Sequence, residues 1–188
     1  MRFVDTPLAG VIVIEPERLS DERGWFARSF DRQAFRAAGM NPEVIQTNVS
    51  FNARAGTVRG MHYQAEPHGE TKVVRCVRGA IFDVAVDLRP DSPTRNRWHG
   101  VELSEENGLA LYVPAGLAHG FQSLRDGSEV HYLMGSPYVP DAARGVRWDD
   151  PAFGIEWPPA PAGGRMISER DATYPDHGGA RARHEPAR

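Results

Sequence analysis

The sequence predicts an all-β protein, a jelly-roll β-sandwich with a few short peripheral helices. Short runs rich in Val, Ile, Phe and Tyr alternate with other residues at period two. Turn-forming residues separate these runs at short intervals, and the chain holds 19 Gly and 15 Pro. No βαβ rhythm and no Gly-rich phosphate loop breaks the pattern. The 188 residues suit one domain, and a hydrophobic content of 40% is enough to fill a core.

The elements follow in order. Val11–Ile14 is a short apolar run stopped by Pro16, suited to a strand traded across a dimer. Ser20–Phe30 reads as a turn and an aromatic strand, with Arg23 either aimed into a site or solvated at the turn. Asp31–Gly39 is the best helix, with Asp31 as N-cap and Gly39 as stop, long enough only to cover a sheet edge. Glu43–Phe51 alternates as a strand and puts Gln46 and Asn48 on one face, where amides suit a sugar or a base. Further strands are predicted near Thr57–Gln64, Lys72–Arg78, Ala80–Arg89, Arg97–Leu103, Leu109–Val113, His119–Leu124 and Val130–Met134. From Pro137 the chain turns irregular, with Trp148 and Trp157 expected on the outside of the sheets. Pro158–Gly164 reads as a linker and Ile167–Asp171 as an ordered return. Residues 1–175 then form a single domain, and 176–188 a disordered tail.

A net charge of −3 supplies no basic field for nucleic acid or membrane. No apolar run approaches the roughly 18 residues that span a bilayer, and the first residues lack the apolar stretch of a signal peptide. Cys76 is the only cysteine; it sits in a strand-like run as a small apolar residue, which fits a reducing cytoplasm.

Two stretches concentrate chemistry. Gly56–Asp87 places Arg59, His62, Gln64 and Lys72 among Val and Ile, and Gly108–Leu124 does the same with His119. Burying such groups without partners is unfavourable, so the two hairpins are expected to line one pocket. Gly108, Pro114, Gly116 and His119 match the second half of the cupin pattern G-x5-P-x-G-x2-H-x3-N, with Ser123 in place of Asn. Gly56 and His62 fit the first half, but Gln64 replaces its second His and Glu70 lies off register. A metallocupin needs three or four good ligands on one ion. Two histidines beside Arg59 and Lys72 favour a metal-free pocket for an anionic ligand.

RGMHYQ (Arg59–Gln64), KVVRCVRGAIFDVAVDLRPDSPT (Lys72–Thr94), VELSEEN (Val101–Asn107), YVPAGLAHGFQSL (Tyr112–Leu124) and WDDPAFGIEWP (Trp148–Pro158) closely resemble the dTDP-4-dehydrorhamnose 3,5-epimerase family, as do DERGWF and ISERDA. The resemblance spans roughly residues 5 to 175. It implies a cupin-like fold, no metal or redox cofactor, and epimerisation of a nucleoside-diphosphate 4-keto-6-deoxyhexose. C3 and C5 of that sugar both lie α to the C4 ketone. The reaction needs a base on one face, an acid on the other, a stabiliser for the enolate oxygen and cations for the diphosphate.

By resemblance His62 is the base and Asp171 the carboxylate that pairs with it; Asp83, placed on a neighbouring predicted strand, is the alternative partner. Tyr132 is the general acid and Lys72 the cation for the enolate. Arg59 and His119 hold the substrate's polar end. Arg23, Gln46 and Asn48 contact nucleotide or phosphate, Tyr138 stacks on the base, and Arg170 keeps the charge of a usual Lys. The other histidines, His68, His99, His131, His177 and His184, are read as surface or structural. The family is usually dimeric, so a homodimer is expected, acting in the cytoplasm.

The chain departs from the family pattern at Arg28, Thr47 and Arg144, where acids are usual, and at Leu133, where Lys is common. These changes point to an altered nucleotide or sugar, or to inversion at C3 or C5 alone. A metal-dependent cupin enzyme and a non-catalytic sugar-nucleotide binding module are the competing readings.

Overall fold

The structure, a computed structural model, describes residues 1–177. The expectation of a disordered tail falls, from residue 178 onward and with His184, outside the described residues.

Two antiparallel sheets face each other. The first has the order β1 (Arg2–Asp5), β2 (Ile12–Glu15), β10 (Ala110–Val113), β7 (Lys72–Arg78), β12 (Ser128–Met134), β5 (Gln46–Asn52). The second has the order β13 (Ala143–Gly145), β6 (Thr57–Gln64), β11 (Leu117–Ser123), β8 (Ala80–Asp87), β9 (Trp98–Ser104), and β14 (Met166–Ile167) adds in parallel to the start of β6. A detached hairpin, β3 (Leu19–Asp21) and β4 (Gly24–Phe26), forms its own small ribbon. β2 lies between β1 and β10 of the same chain, so the run that suggested a traded strand is paired at home.

Alternation decides what each sheet buries. Between the sheets Val74, Cys76, Ile81, Ala85, Leu111, Phe121 and Val130 close into the main core. Burial pushes the Cys76 thiol up to about 11, so it stays an inert packing residue. The outer face of the first sheet is partly covered by α1 (Arg32–Ala37), whose Phe35 packs fully buried against Ile14, Val73 and Tyr112. Asp31 caps α1 by accepting from the N–H groups of Gln33 and Ala34. Val84, Val86 and Met61 form the outer face of the second sheet, and Trp157 packs there, its indole N–H bonded to the Trp148 carbonyl.

Two local features place the site. At the far end of β8 the buried Asp87 collects Arg89, Ser92 and Thr94, which locks the LRPDSPT turn. On β6, His119↔His62 and Phe121↔Arg59 are register partners, so two steps along β11 oppose three along β6. That is a β-bulge. It brings Arg59 and His62, which strict alternation would put on opposite faces, to the same side. Gly60 sits at the bulge with φ +126, where an added Cβ would lie 2.5 Å from the Gly120 Cα.

Candidate active site

The core fills one end of the sandwich; the other end opens into a cavity of about 600 Å³. β5, β6, β7, β11 and β12 line it, and α2 (Glu169–Ala172) closes one side. His62, Tyr132, Lys72 and Asp171 all reach this one space, together with Asn48, Arg59, His119, Tyr138 and Arg170.

His62 Nε2 lies 2.8 Å from Asp171 Oδ1. The other oxygen, Oδ2, accepts from the Gly60 N–H at 3.1 Å, so the bulge that orients His62 also seats its carboxylate. Burial alone would raise the Asp171 carboxyl, but His62, the Gly60 N–H and Arg170 together hold it below the usual range. An ionised Asp171 keeps the proton on Nε2 and leaves Nδ1 as the basic nitrogen. The Ser168 side chain caps α2 by accepting from the Asp171 N–H, which fixes Asp171 in the first turn. Tyr174, one turn past Asp171, sets its ring edge-on to His62 and accepts from Arg170 Nε at 2.8 Å.

His119 forms a second pair, its Nε2 2.8 Å from Asp83 Oδ1. Asp83 is therefore engaged on the strand next to His119 and is not the partner of His62. Burial pushes its carboxyl up, while His119 and Lys72 pull it back in part. Among the described residues its Oδ2 is buried without a hydrogen-bond partner. Tyr132 is held by Ser50, with 3.2 Å between the hydroxyls, and its ring stands edge-on to His119. Burial raises the phenol well above its ordinary value, so it remains a protonated donor. Lys72 is buried and ion-paired to Glu70 at 2.6 Å.

Two expected site residues lie elsewhere. Arg23 sits on the detached hairpin, exposed and paired with Asp21, outside the cavity of its own chain. Gln46 turns its side-chain oxygen to the Tyr138 N–H at 2.7 Å, fixing the loop that carries Tyr138 without lining the cavity. Arg59 is braced by Asn52 Oδ1 at 2.8 Å. Of the three positions that depart by losing an acid, Arg144 lines the cavity, whereas Arg28 pairs with Asp31 outside it.

Gln64, the position of the missing cupin ligand, donates to the His68 and Pro137 carbonyls and accepts from the Val139 N–H. Its amide thereby joins two loops. Among the described residues no group of three His, Cys, Asp or Glu side chains is placed to hold a metal.

Sequence reasoning missed Ser50, Glu70 and Tyr174. Ser50 continues the Gln46–Asn48 alternation by one more step. Glu70 stands two before Lys72 and Tyr174 three after Asp171, spacings that bring side chains to a common face of a strand or helix.

The sequence profile described as dTDP-4-dehydrorhamnose 3,5-epimerase matches residues 5–177. A relative of that name from Sinorhizobium fredii is 45% identical over 175 residues, covering 93% of this chain and 89% of its own length. The crystal structure of dTDP-4-dehydrorhamnose 3,5-epimerase from Elizabethkingia anophelis superposes with a TM-score of 0.89 at 36% identity, over 94% of this chain and 96% of that one. ChmJ, a 3'-monoepimerase from Streptomyces bikiniensis solved with dTDP-quinovose, gives 0.84 at 38% identity, over 91% and 85%. With a cupin-like sandwich, a paired histidine and a half-buried tyrosine in one cavity, and this breadth of similarity, the chain belongs to the dTDP-4-dehydrorhamnose 3,5-epimerase family.

Proposed function

We propose that this protein is an isomerase that inverts carbon centres α to the ketone of a dTDP-4-keto-6-deoxyhexose. The observation that carries the reading is the His62–Asp171 pair facing the same cavity as Tyr132, with Lys72 in its wall. His62 Nδ1 takes the α-proton and the electron pair moves into the carbonyl, giving an enolate at O4. The Lys72 ammonium stabilises that oxygen. Tyr132 gives its hydroxyl proton to the carbon from the opposite face, which completes inversion; the phenolate then recovers a proton from solvent and His62 releases to solvent the one it took. Arg59, Arg144 and Arg170 supply cations for the diphosphate, with Asn48 and Tyr138 toward the nucleotide.

The molecule acts as a homodimer. Leu19, Trp25 and Phe26 are exposed on the detached hairpin, and Val49 and Phe51 are exposed on the edge strand β5. Two such apolar surfaces, one a free ribbon and one an open sheet edge, favour mutual burial. In that arrangement the hairpin carries Arg23 toward the partner's cavity. The buried lone thiol fits a cytoplasmic setting, and among the described residues no helix is long and apolar enough to cross a membrane.

Incubation with a dTDP-4-keto-6-deoxyhexose in D2O tests the reaction. Deuterium entering at both C3 and C5 is the expected result, and entry at one carbon assigns a single-site epimerase like the 3'-monoepimerase relative. No exchange at either carbon rejects the reading in favour of a binding module. Loss of exchange on chelation, restored by one metal, favours the metallocupin. Titration with dTDP, CDP, UDP and GDP then reads the effect of Arg144.

A further inference from the structure

Lys72 and Glu70 are both sealed into the cavity wall, with side chains 7% and 9% exposed. The segment that carries Glu70 is fixed on either side. Ser136 Oγ donates to the Gly69 carbonyl at 2.9 Å, the Gly135 N–H donates to the Thr71 carbonyl at 2.9 Å, and Asn41 Nδ2 donates to Thr71 Oγ1 at 3.3 Å. An ammonium has three donors. Lys72 Nζ gives one to Glu70 Oε1 and one to the His62 carbonyl at 3.2 Å.

We propose that Glu70 is a positioning residue for the reaction: its carboxylate clamps Lys72 so that one N–H remains for the C4 oxygen of the ketosugar. The inference rests on the enolate role assigned to Lys72 above. The carboxylate also keeps the amine charged. The groups that face Lys72 are Glu70 just before β7, Asp83 on β8 and His62 on β6, with His119 on β11, Tyr132 on β12 and Arg59 on β6 lining the same cavity. Burial works against the ammonium, and Glu70 and Asp83 work for it. Asp83 is already committed to His119. Among the described residues Glu70 is the carboxylate bonded to Nζ. Without its charge the amine loses its proton at lower pH, and enolate stabilisation fades from the alkaline side first.

The experiment compares kcat for deuterium entry across pH in the intact protein, Glu70→Gln and Glu70→Asp, with thermal unfolding of each. Glu70→Gln is expected to move the alkaline limb down by about 1–3 pH units, and Glu70→Asp to restore most of it. An unmoved limb, whether activity is unchanged or falls uniformly, overturns the proposal. Side-chain 15N resonances of Lys72 in the unmutated protein provide a second reading, which decides the matter if Glu70→Gln does not fold. An amine still charged above about pH 8 supports the clamp, and one already neutral near pH 7 removes it. Absence of exchange by the unmutated protein defeats the epimerase reading instead, and the resonances still judge the clamp.

Discussion

At the scale of single residues the proposed mechanism divides labour between a base on one side of the sugar ring, His62, and an acid on the other, Tyr132. Tyr132→Phe keeps the ring and the packing against His119 but removes the proton donor. Proton abstraction then continues and the proton returns from the same face. The expected outcome is that deuterium entry persists while epimer formation falls by about 10²–10⁴, measured by NMR of the sugar in D2O. Asp171→Asn leaves the hydrogen-bonding geometry of His62 nearly intact but removes the charge that keeps the proton on Nε2. Both exchange and epimer formation are expected to fall together, on the order of 10²–10⁴-fold. Because the Asp171 carboxyl is held below the usual range, it stays ionised through the neutral region. The Asn variant should therefore be impaired across the whole of that region, and parental activity of the variant at any pH within it would count against the tautomer argument.

At the scale of elements the bulge on β6 is the decisive device. Gly60→Ala places a Cβ 2.5 Å from the Gly120 backbone at a positive φ. It is expected to destabilise the fold by about 1–3 kcal/mol and to abolish exchange, since the Gly60 N–H also seats Asp171; urea unfolding beside the exchange assay checks both. The turn after β8 carries a second test. Burial would raise the Asp87 carboxyl, but Arg89, Ser92 and Thr94 bring it down to about 2. A depressed folded-state value gives stability that is complete above the unfolded value near 3.9 and is lost as pH falls toward 2. Asp87→Asn is expected to cost about 1–3 kcal/mol at neutral pH, with the gap closing between about pH 4 and pH 2 in unfolding curves. Most strands were legible from the sequence to within two or three residues, because Gly79, Pro90 and the Glu106–Gly108 turn break the alternation on both sides of each run. The bulge was not legible. A period-two reading separates Arg59 from His62, and only contact with Gly120 shows how they come together. Partner choice was equally hidden, since Asp83 and Asp171 are both plausible for His62 until the strands are placed. Resemblance supplied the Asp171 pairing, whereas Glu70 beside Lys72 was overlooked because a carboxylate off the metal register carried no assigned task.

At the scale of the whole molecule the proposed homodimer rests on the uncovered surfaces of β5 and of the β3–β4 hairpin. Replacing Phe51 with Glu puts a charge where an apolar seam is expected, while the side chain is exposed in the single chain. The variant is expected to remain folded but to run as a monomer by light scattering, and to raise KM at least tenfold by losing the partner's Arg23. A dimer that survives the change would place the seam elsewhere. Gln64 has a consequence for how this architecture can change. One amide ties the loop at His68 to the loop at Pro137–Val139. An imidazole at that position has too few donors and acceptors to hold both. Placing the cupin-pattern histidine there would thus loosen the cavity wall before any ion arrived, and conversion to metal chemistry would require rebuilding both loops in the same step.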